Sequence, residues 1–253
     1  MSNSDSNSLP RPTHLQLAPD SAAIRALVQA DPVLGQLIKQ IGPLEIPLRS
    51  DPFVSLVSSI ISQQLSVKAA ATIWKRVVEL CEEQVSPATL DQFSDEQLRA
   101  VGVSMFKIRY IRDLCHHVQA GLLPLDRLDE LSDEEVLQAL VAVKGIGRWT
   151  AEMFLIFSLG RTGILSHGDA GLQRAARWLH EMEEREDGKY TQQHELNWSA
   201  YPTAASIYLW EAINIGWVDS GHKLADFASV DTANTTIDPV MDTASKQPSD
   251  PPS

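Results

Sequence analysis

The 253-residue chain is short of cysteine, of long apolar runs and of positive charge. Its two cysteines, Cys81 and Cys115, exclude a disulfide framework and any four-cysteine iron–sulfur or zinc site within one chain. Such sparse cysteine makes a reducing, intracellular compartment the default expectation. The longest apolar runs, such as Met153 to Leu159, fall far below the roughly 20 residues that a spanning helix needs, so no membrane partner is expected. The N-terminus is rich in Ser and Asn and lacks the apolar core of a secretion signal. The formal net charge of −12 counts against a nucleic-acid partner unless basic groups gather locally. Acidic residues crowd two places, Glu181 to Asp187 and the stretch beyond Trp217, whereas Lys144, Arg148, Arg161, Arg174 and Arg177 fall around the middle of the chain.

Hydrophobic residues make up 43% of the chain, ample for a buried core. Residues 1–19 and 228–253 have little to bury and read as disordered tails, the latter acidic. Between them, residues 20–227 read as one helical core. Asp51-Pro52 offers an N-cap followed by a first-turn proline, opening a helix over 53–64. Ser66 can cap a helix over 67–81. Ser94 to Gln97 and Ser132 to Glu135 each fit a capping box. Further helical patterns cover about 21–39, 105–120, 148–159, 170–181 and 203–216. No strand alternation or long repeat stands out. The expected class is all-α, built of many short helices.

Two stretches carry chemistry. Val143-Lys144-Gly145-Ile146-Gly147-Arg148-Trp149-Thr150-Ala151 reads as helix, glycine hairpin, helix. It lacks the preceding strand and third glycine of a dinucleotide fingerprint. It can be a helix–turn–helix used only for packing. It can also expose backbone N–H groups at a helix start, which bind phosphate without side-chain charge and suit sequence-independent DNA binding. Downstream, His167-Gly168-Asp169-Ala170-Gly171-Leu172 puts one carboxylate at the mouth of the next helix. Asp169 can be a plain N-cap or a catalytic acid, and one role does not bar the other.

These two motifs together resemble the helix-hairpin-helix, Gly/Pro-Asp superfamily of DNA glycosylases, and within it the 3-methyladenine DNA glycosylase II family. Asp51-Pro52-Phe53, Ile60-Ile61-Ser62-Gln63-Gln64-Leu65-Ser66-Val67 and Tyr208-Leu209-Trp210 extend the resemblance over about 50–217. It implies a two-lobed helical fold with the DNA cleft between the lobes. Relatives often carry an N-terminal β-rich domain, for which little room exists before Asp51.

The resemblance also implies roles. Asp169 falls on the family's catalytic aspartate and would stabilise positive charge on the sugar as the N-glycosidic bond breaks. Alkylated purines leave readily, so no dedicated general acid is required. Trp149 stands where bifunctional relatives carry a Schiff-base lysine, which implies a monofunctional enzyme. Trp149 and Trp210 match the aromatic base pocket, where indole faces suit a cationic base. Both can equally be core tryptophans. Met153 stands where some relatives have an aromatic residue, which leaves open a spectrum shifted to etheno or deaminated bases. Gly145, Gly147 and Arg148 would grip the backbone. Gln63, Gln64, Leu65 and Ser66 would enter the minor groove, with Gln64 or Leu65 as the wedge. Carbonyls of Val141, Val143 and Ile146 would hold Na⁺ or K⁺, and no organic cofactor is required. Partners would be damaged double-stranded DNA and downstream abasic-site enzymes, with the protein a monomer in a bacterial cytoplasm or nucleoid, or in a eukaryotic nucleus. A lesion-binding module without turnover is the alternative from a different class. His167 beside Asp169 invites a dyad, but a backbone or phosphate contact is the expected role. Cys115, His116 and His117 are adjacent and point to different helix faces, so no metal site is expected there.

Overall fold

The computed structural model describes residues 12–227. Residues 1–11 and the acidic stretch 228–253 lie outside the described residues. Among the described residues twelve α-helices are joined by turns and longer loops: α1 (Ala22–Ala30), α2 (Pro32–Ile41), α3 (Pro52–Ser62), α4 (Val67–Leu80), α5 (Pro87–Leu90), α6 (Asp95–Ala100), α7 (Met105–Gln119), α8 (Asp133–Val141), α9 (Arg148–Phe157), α10 (Ala170–Leu179), α11 (Glu195–Trp198) and α12 (Pro202–Asn214). None of the described helices is long and apolar enough to cross a membrane.

Local sequence chemistry sets the helix starts. Asp51 accepts a hydrogen bond from Val54 N at 3.0 Å, and Ser66 accepts one from Ala69 N at 3.4 Å. Ser94 with Gln97 and Ser132 with Glu135 form complete capping boxes. One expected helix, over 21–39, is two. Asp31 ends α1 and caps α2, and Pro32, with no N–H to donate, opens the second helix.

The expectation of a disordered 1–19 and of no strands is corrected at 14–17. There β1 (His14–Leu17) pairs antiparallel with β2 (Leu44–Pro47), with Leu15 opposite Ile46 and Leu17 opposite Leu44. These four residues are buried while their neighbours on the strands are more exposed, so the pair covers the core with one face. Four-residue strands give too little alternation to read from sequence. Tyr208 Oη on α12 donates to Gly42 O at 2.9 Å, fastening the turn that leads into β2.

The helices fall into two groups. α3 packs on α4, α7 and α9, while α5 and α6 pack on α7 and α8 on α9. The second group joins the two ends of the chain: α1 and α2 pack against α11 and α12, and α10 lies on α12. Residues that carry the sequence motifs lie on α9, α10 and α12 and on the turns before α4 and α9, where the groups meet.

Candidate active site

The hairpin between α8 and α9 needs its two glycines for different reasons. Gly145 has φ +82°, and a Cβ there would lie 2.2 Å from the Tyr110 ring on α7. Both the left-handed backbone and the aromatic floor therefore demand glycine. Gly147 caps α9 with an ordinary φ of −84°, and nothing lies within 4 Å of where its Cβ would be. Its side is open to an approaching group, next to the exposed N-terminus of α9. Ile146, between them, is buried, and Val143 O accepts from Ile146 N at 3.1 Å.

Asp169 caps α10, accepting from Leu172 N on Oδ1 at 2.7 Å, and its residue is 3% exposed. The two tryptophans singled out by sequence converge on it. Trp149 Nε1 donates to Oδ2 at 2.7 Å and Trp210 Nε1 to Oδ1 at 3.4 Å. Three neutral donors from three helices fix the carboxylate. Phe157, which no motif singled out, and Met153, which the resemblance did, complete the wall. Phe157, two turns after Trp149 on α9, packs against Trp210 with ring centroids 5.7 Å apart. Met153 sits between them on α9 and is 7% exposed. Trp149, Phe157 and Trp210 remain half-buried.

A second network holds the turn before Asp169. Glu152 on α9 is buried, accepting from Ser166 Oγ at 2.5 Å and from Arg148 Nε at 2.9 Å. Gln173 on α10 donates to His167 O at 2.6 Å. The His167 ring faces Thr191 Oγ1 at 2.9 Å and Glu195 at 3.6 Å, so the histidine braces the 191–195 segment.

The turn from α3 to α4 reaches the hairpin directly. Gln63 Nε2 donates to Gly145 O at 2.7 Å. Gln64 is exposed in a left-handed conformation, φ +56°, at the tip of the turn, and Leu65 is half-buried. Ser66 is spent on capping α4.

The basic cluster expected around the motif is largely neutralised. Lys144 pairs with Asp113, Arg148 with Glu152, Arg161 with Asp133, Arg174 with Asp219 and Arg177 with Glu184. Most of these partners are far apart in sequence, which hid the pairing. Arg161 also donates to the carbonyls of Leu128 and Leu131, acting as an internal strut.

Elsewhere, Asp31, His180 and His194 bring potential metal-ligand atoms within 4.8 Å of one another. The two imidazoles are stacked 3.7 Å apart and only 13° from parallel. Ring lone pairs lie in the ring planes, so two parallel rings do not converge on one ion. Cys115 is buried, which pushes its thiol up to about 12, and His117 turns to Asp113.

Helix, glycine hairpin, helix and a capping aspartate, in this order and within reach of one another, define a helix-hairpin-helix protein. Comparison with known proteins gives the family. Residues 57–200 match the HhH-GPD superfamily base excision DNA repair protein, and the chain belongs to that superfamily. It is 31% identical to DNA-3-methyladenine glycosylase 1 of Schizosaccharomyces pombe over 198 residues, covering 76% of this chain and 83% of the relative. Among solved structures, a DNA-3-methyladenine glycosidase from Bacillus halodurans superposes with a TM-score of 0.77 at 43% identity, over 83% of this chain and 97% of that one. The Schizosaccharomyces pombe 3-methyladenine DNA glycosylase in complex with abasic DNA superposes with a TM-score of 0.69 at 30% identity, over 78% and 98%.

Proposed function

We propose that the protein is a monofunctional DNA glycosylase that excises alkylated purines from double-stranded DNA and so begins base excision repair. The observation that carries this reading is the fixed carboxylate of Asp169 under two half-buried indoles. A base leaving the sugar makes the sugar cationic, and a carboxylate held in place beforehand stabilises that charge without reorganising. Asp169 also serves as the base that orients or deprotonates the attacking water. Alkylated purines are themselves cationic, so the faces of Trp149 and Trp210 attract them by stacking and cation–π interaction, worth about 0.5–2 kcal/mol. Met153 and Phe157 close the wall behind them. The names of the relatives fit this substrate class.

The absence of lyase chemistry rests on Trp149. The residue that would need to be a nucleophilic amine is an indole hydrogen-bonded to Asp169. Extruding a base costs a few kcal/mol, and the vacated place must be filled. Gln64, exposed at the tip of its turn, is the wedge, with Leu65 behind it. Gln63 sets the turn against the hairpin, and Gly145, Gly147 and Arg148 meet the backbone phosphates. The open side of Gly147 supports that role. Carbonyls of Val141, Val143 and Ile146 offer the oxygen donors that Na⁺ or K⁺ prefers, and the bond from Ile146 N leaves Val143 O a second lone pair. Such an ion would brace the hairpin and take no part in bond cleavage. The protein acts as a monomer, needs no organic cofactor, and hands its abasic product to enzymes that cut at such sites. A bacterial cytoplasm or nucleoid, or a nucleus, is where that substrate is found.

The test is a set of duplexes carrying 3-methyladenine, 7-methylguanine, ethenoadenine or hypoxanthine, scored for alkali-labile abasic sites and, separately, for borohydride-trapped covalent adducts. Abasic sites from the methylated purines without trapped protein are expected. Excision confined to ethenoadenine or hypoxanthine would reassign the pocket, tight lesion binding with no excision would leave a binding module, and a trapped adduct would contradict the monofunctional reading.

A further inference from the structure

Among the described residues four carboxylates are buried: Asp31, Glu152, Asp169 and Glu211. Asp31 bonds Trp198 on α11, and Glu211 accepts from Asn214 on its own helix. Glu152 instead joins the hairpin helix to the turn that carries Asp169. Its Oε2 accepts from Ser166 Oγ at 2.5 Å and its Oε1 from Arg148 Nε at 2.9 Å. Ser166 is wholly buried, and its carbonyl accepts from Asp169 N at 3.1 Å, closing the turn. Arg148, the first residue of α9, has a side chain 69% exposed. Its bond to Glu152 uses Nε and leaves the terminal amino groups of the guanidinium for a phosphate. A chain of bonds thus runs from the exposed end of the hairpin through Arg148, Glu152 and Ser166 to Asp169. Trp149, the next residue on α9, reaches the same carboxylate directly. A neutral side chain could tie a helix to a turn without the cost of burying a charge. A carboxylate does more, because it also aims the guanidinium.

We propose that Glu152 is a positioning residue for base excision: its carboxylate locks the Asp169 turn to the start of α9 and, through Arg148, to the phosphate that the hairpin grips. The inference rests on the DNA-glycosylase reading of Asp169 and the hairpin. DNA engaged at Arg148 fixes the direction of that guanidinium. The guanidinium holds Glu152, and Glu152 holds Ser166 and with it the carboxylate of Asp169. Displacing a reacting group by about 1 Å can slow a reaction roughly a hundred-fold. The tie therefore matters, although Glu152 touches neither the sugar nor the base.

The test uses the full chain and three readouts. They are binding of an abasic-analogue duplex, single-turnover excision from a 3-methyladenine duplex at saturating protein, and the NMR resonance of the Trp149 indole N–H, which reports its bond to Asp169. Ser166→Ala cuts the inner link and keeps the Glu152 charge. It is expected to slow excision roughly ten-fold, to leave duplex binding unchanged and to shift the Trp149 resonance. The Trp198 indole, bonded to Asp31, is expected to stay in place. Glu152→Ala removes a negative charge beside the Arg148 guanidinium. It is expected to slow excision roughly a hundred-fold without weakening duplex binding, a split that loss of fold does not produce. Glu152→Gln can accept from Arg148 on its oxygen and donate to Ser166 Oγ from its nitrogen, so it is expected to recover most of the rate. In a chain that excises, an unchanged rate or an unmoved Trp149 resonance in Ser166→Ala overturns the proposal. So do binding and excision that fall together in folded Glu152→Ala, or a Glu152→Gln no faster than Glu152→Ala. A wild type that excises no base, while Ser166→Ala still shifts the Trp149 resonance, keeps the tie and loses the glycosylase reading; excision that none of these variants alters does the reverse.

Discussion

Asp31 and Asp169 are each 3% exposed, each caps a helix through Oδ1, and each accepts an indole N–H on Oδ2 at 2.7 Å, from Trp198 and Trp149 respectively. Their surroundings differ. Asp31 faces two histidines, His180 at 3.1 Å and His194 at 3.8 Å, packed in a stack with Trp198. Burial would raise its pKa, but hydrogen bonds from His180, Leu34 N and Trp198 outweigh it and hold the carboxyl at about 2. It ties the α1–α2 junction to the end of α10 and to α11. Asp169 has only neutral donors, from half-buried indoles and a backbone amide. The comparison teaches that a buried, indole-bonded cap is a structural device that the fold uses twice. What sets Asp169 apart is the half-buried aromatic wall around it and the hairpin beside it, the surroundings on which its proposed role rests.

The largest expected effect on stability breaks the structural member of the pair. Asp31→Ala removes a cap, leaves the Trp198 N–H buried without its acceptor and takes the carboxylate away from His180 and His194, at a cost of about 3 kcal/mol or more. Urea denaturation checks this, and excision by the folded fraction is expected to stay within a few-fold of the wild type. A loss of excision at undiminished stability would erase the distinction between the two aspartates.

Acid titration sharpens the same contrast. The folded pKa of Asp31, about 2, lies below its ordinary 3.8. The ionised carboxylate thus contributes stability, about 2 kcal/mol, that is fully present above roughly pH 4 and lost as pH falls toward 2. Burial, with His180 beside it, lowers the pKa of His194, so the unfolded chain takes up that proton first and stability begins to fall below pH 6.5. Unfolding free energies from pH 7 to 2 are expected to decline in both ranges. Asp31→Asn is expected to flatten the lower one, and an unchanged profile would contradict the account.

The glycines supply the smaller effects, on the hairpin that distinguishes the Asp169 side. Gly145→Ala forces a β-carbon into a left-handed position against Tyr110 and is expected to cost about 2 kcal/mol. Gly147→Ala meets nothing and should cost under about 1 kcal/mol, the loss of a tolerated cap. Its expected signature is weaker binding of duplex DNA in a filter or anisotropy assay. Unchanged binding would remove the phosphate role from Gly147.

Much of this was legible from residues close in sequence. Capping boxes at Ser94 and Ser132 and the Asp51-Pro52 start are local motifs, and the chain obeys them. Asp31-Pro32 is the same signal, but it sits inside a continuous apolar periodicity that reads as one helix. Strands of four residues are too short to declare themselves. The tryptophans and Asp169 could be singled out by motif. That both indoles donate to one carboxylate could not, because residues 149, 169 and 210 meet only through tertiary packing. Phe157 and the pairing of Lys144 with Asp113 or Arg174 with Asp219 were hidden for the same reason.

The most direct measurement is single-turnover excision from a 3-methyladenine duplex by Asp169→Asn. The amide keeps the cap to Leu172 but turns an NH₂ toward the Trp149 N–H, so a stability loss of about 1–2 kcal/mol is expected and is read separately by melting. At a temperature where the variant is folded, the account predicts at least a roughly thousand-fold slower excision, with binding to an abasic-analogue duplex within a few-fold of the wild type. Excision near the wild-type rate would show that Asp169, like Asp31, only holds the fold.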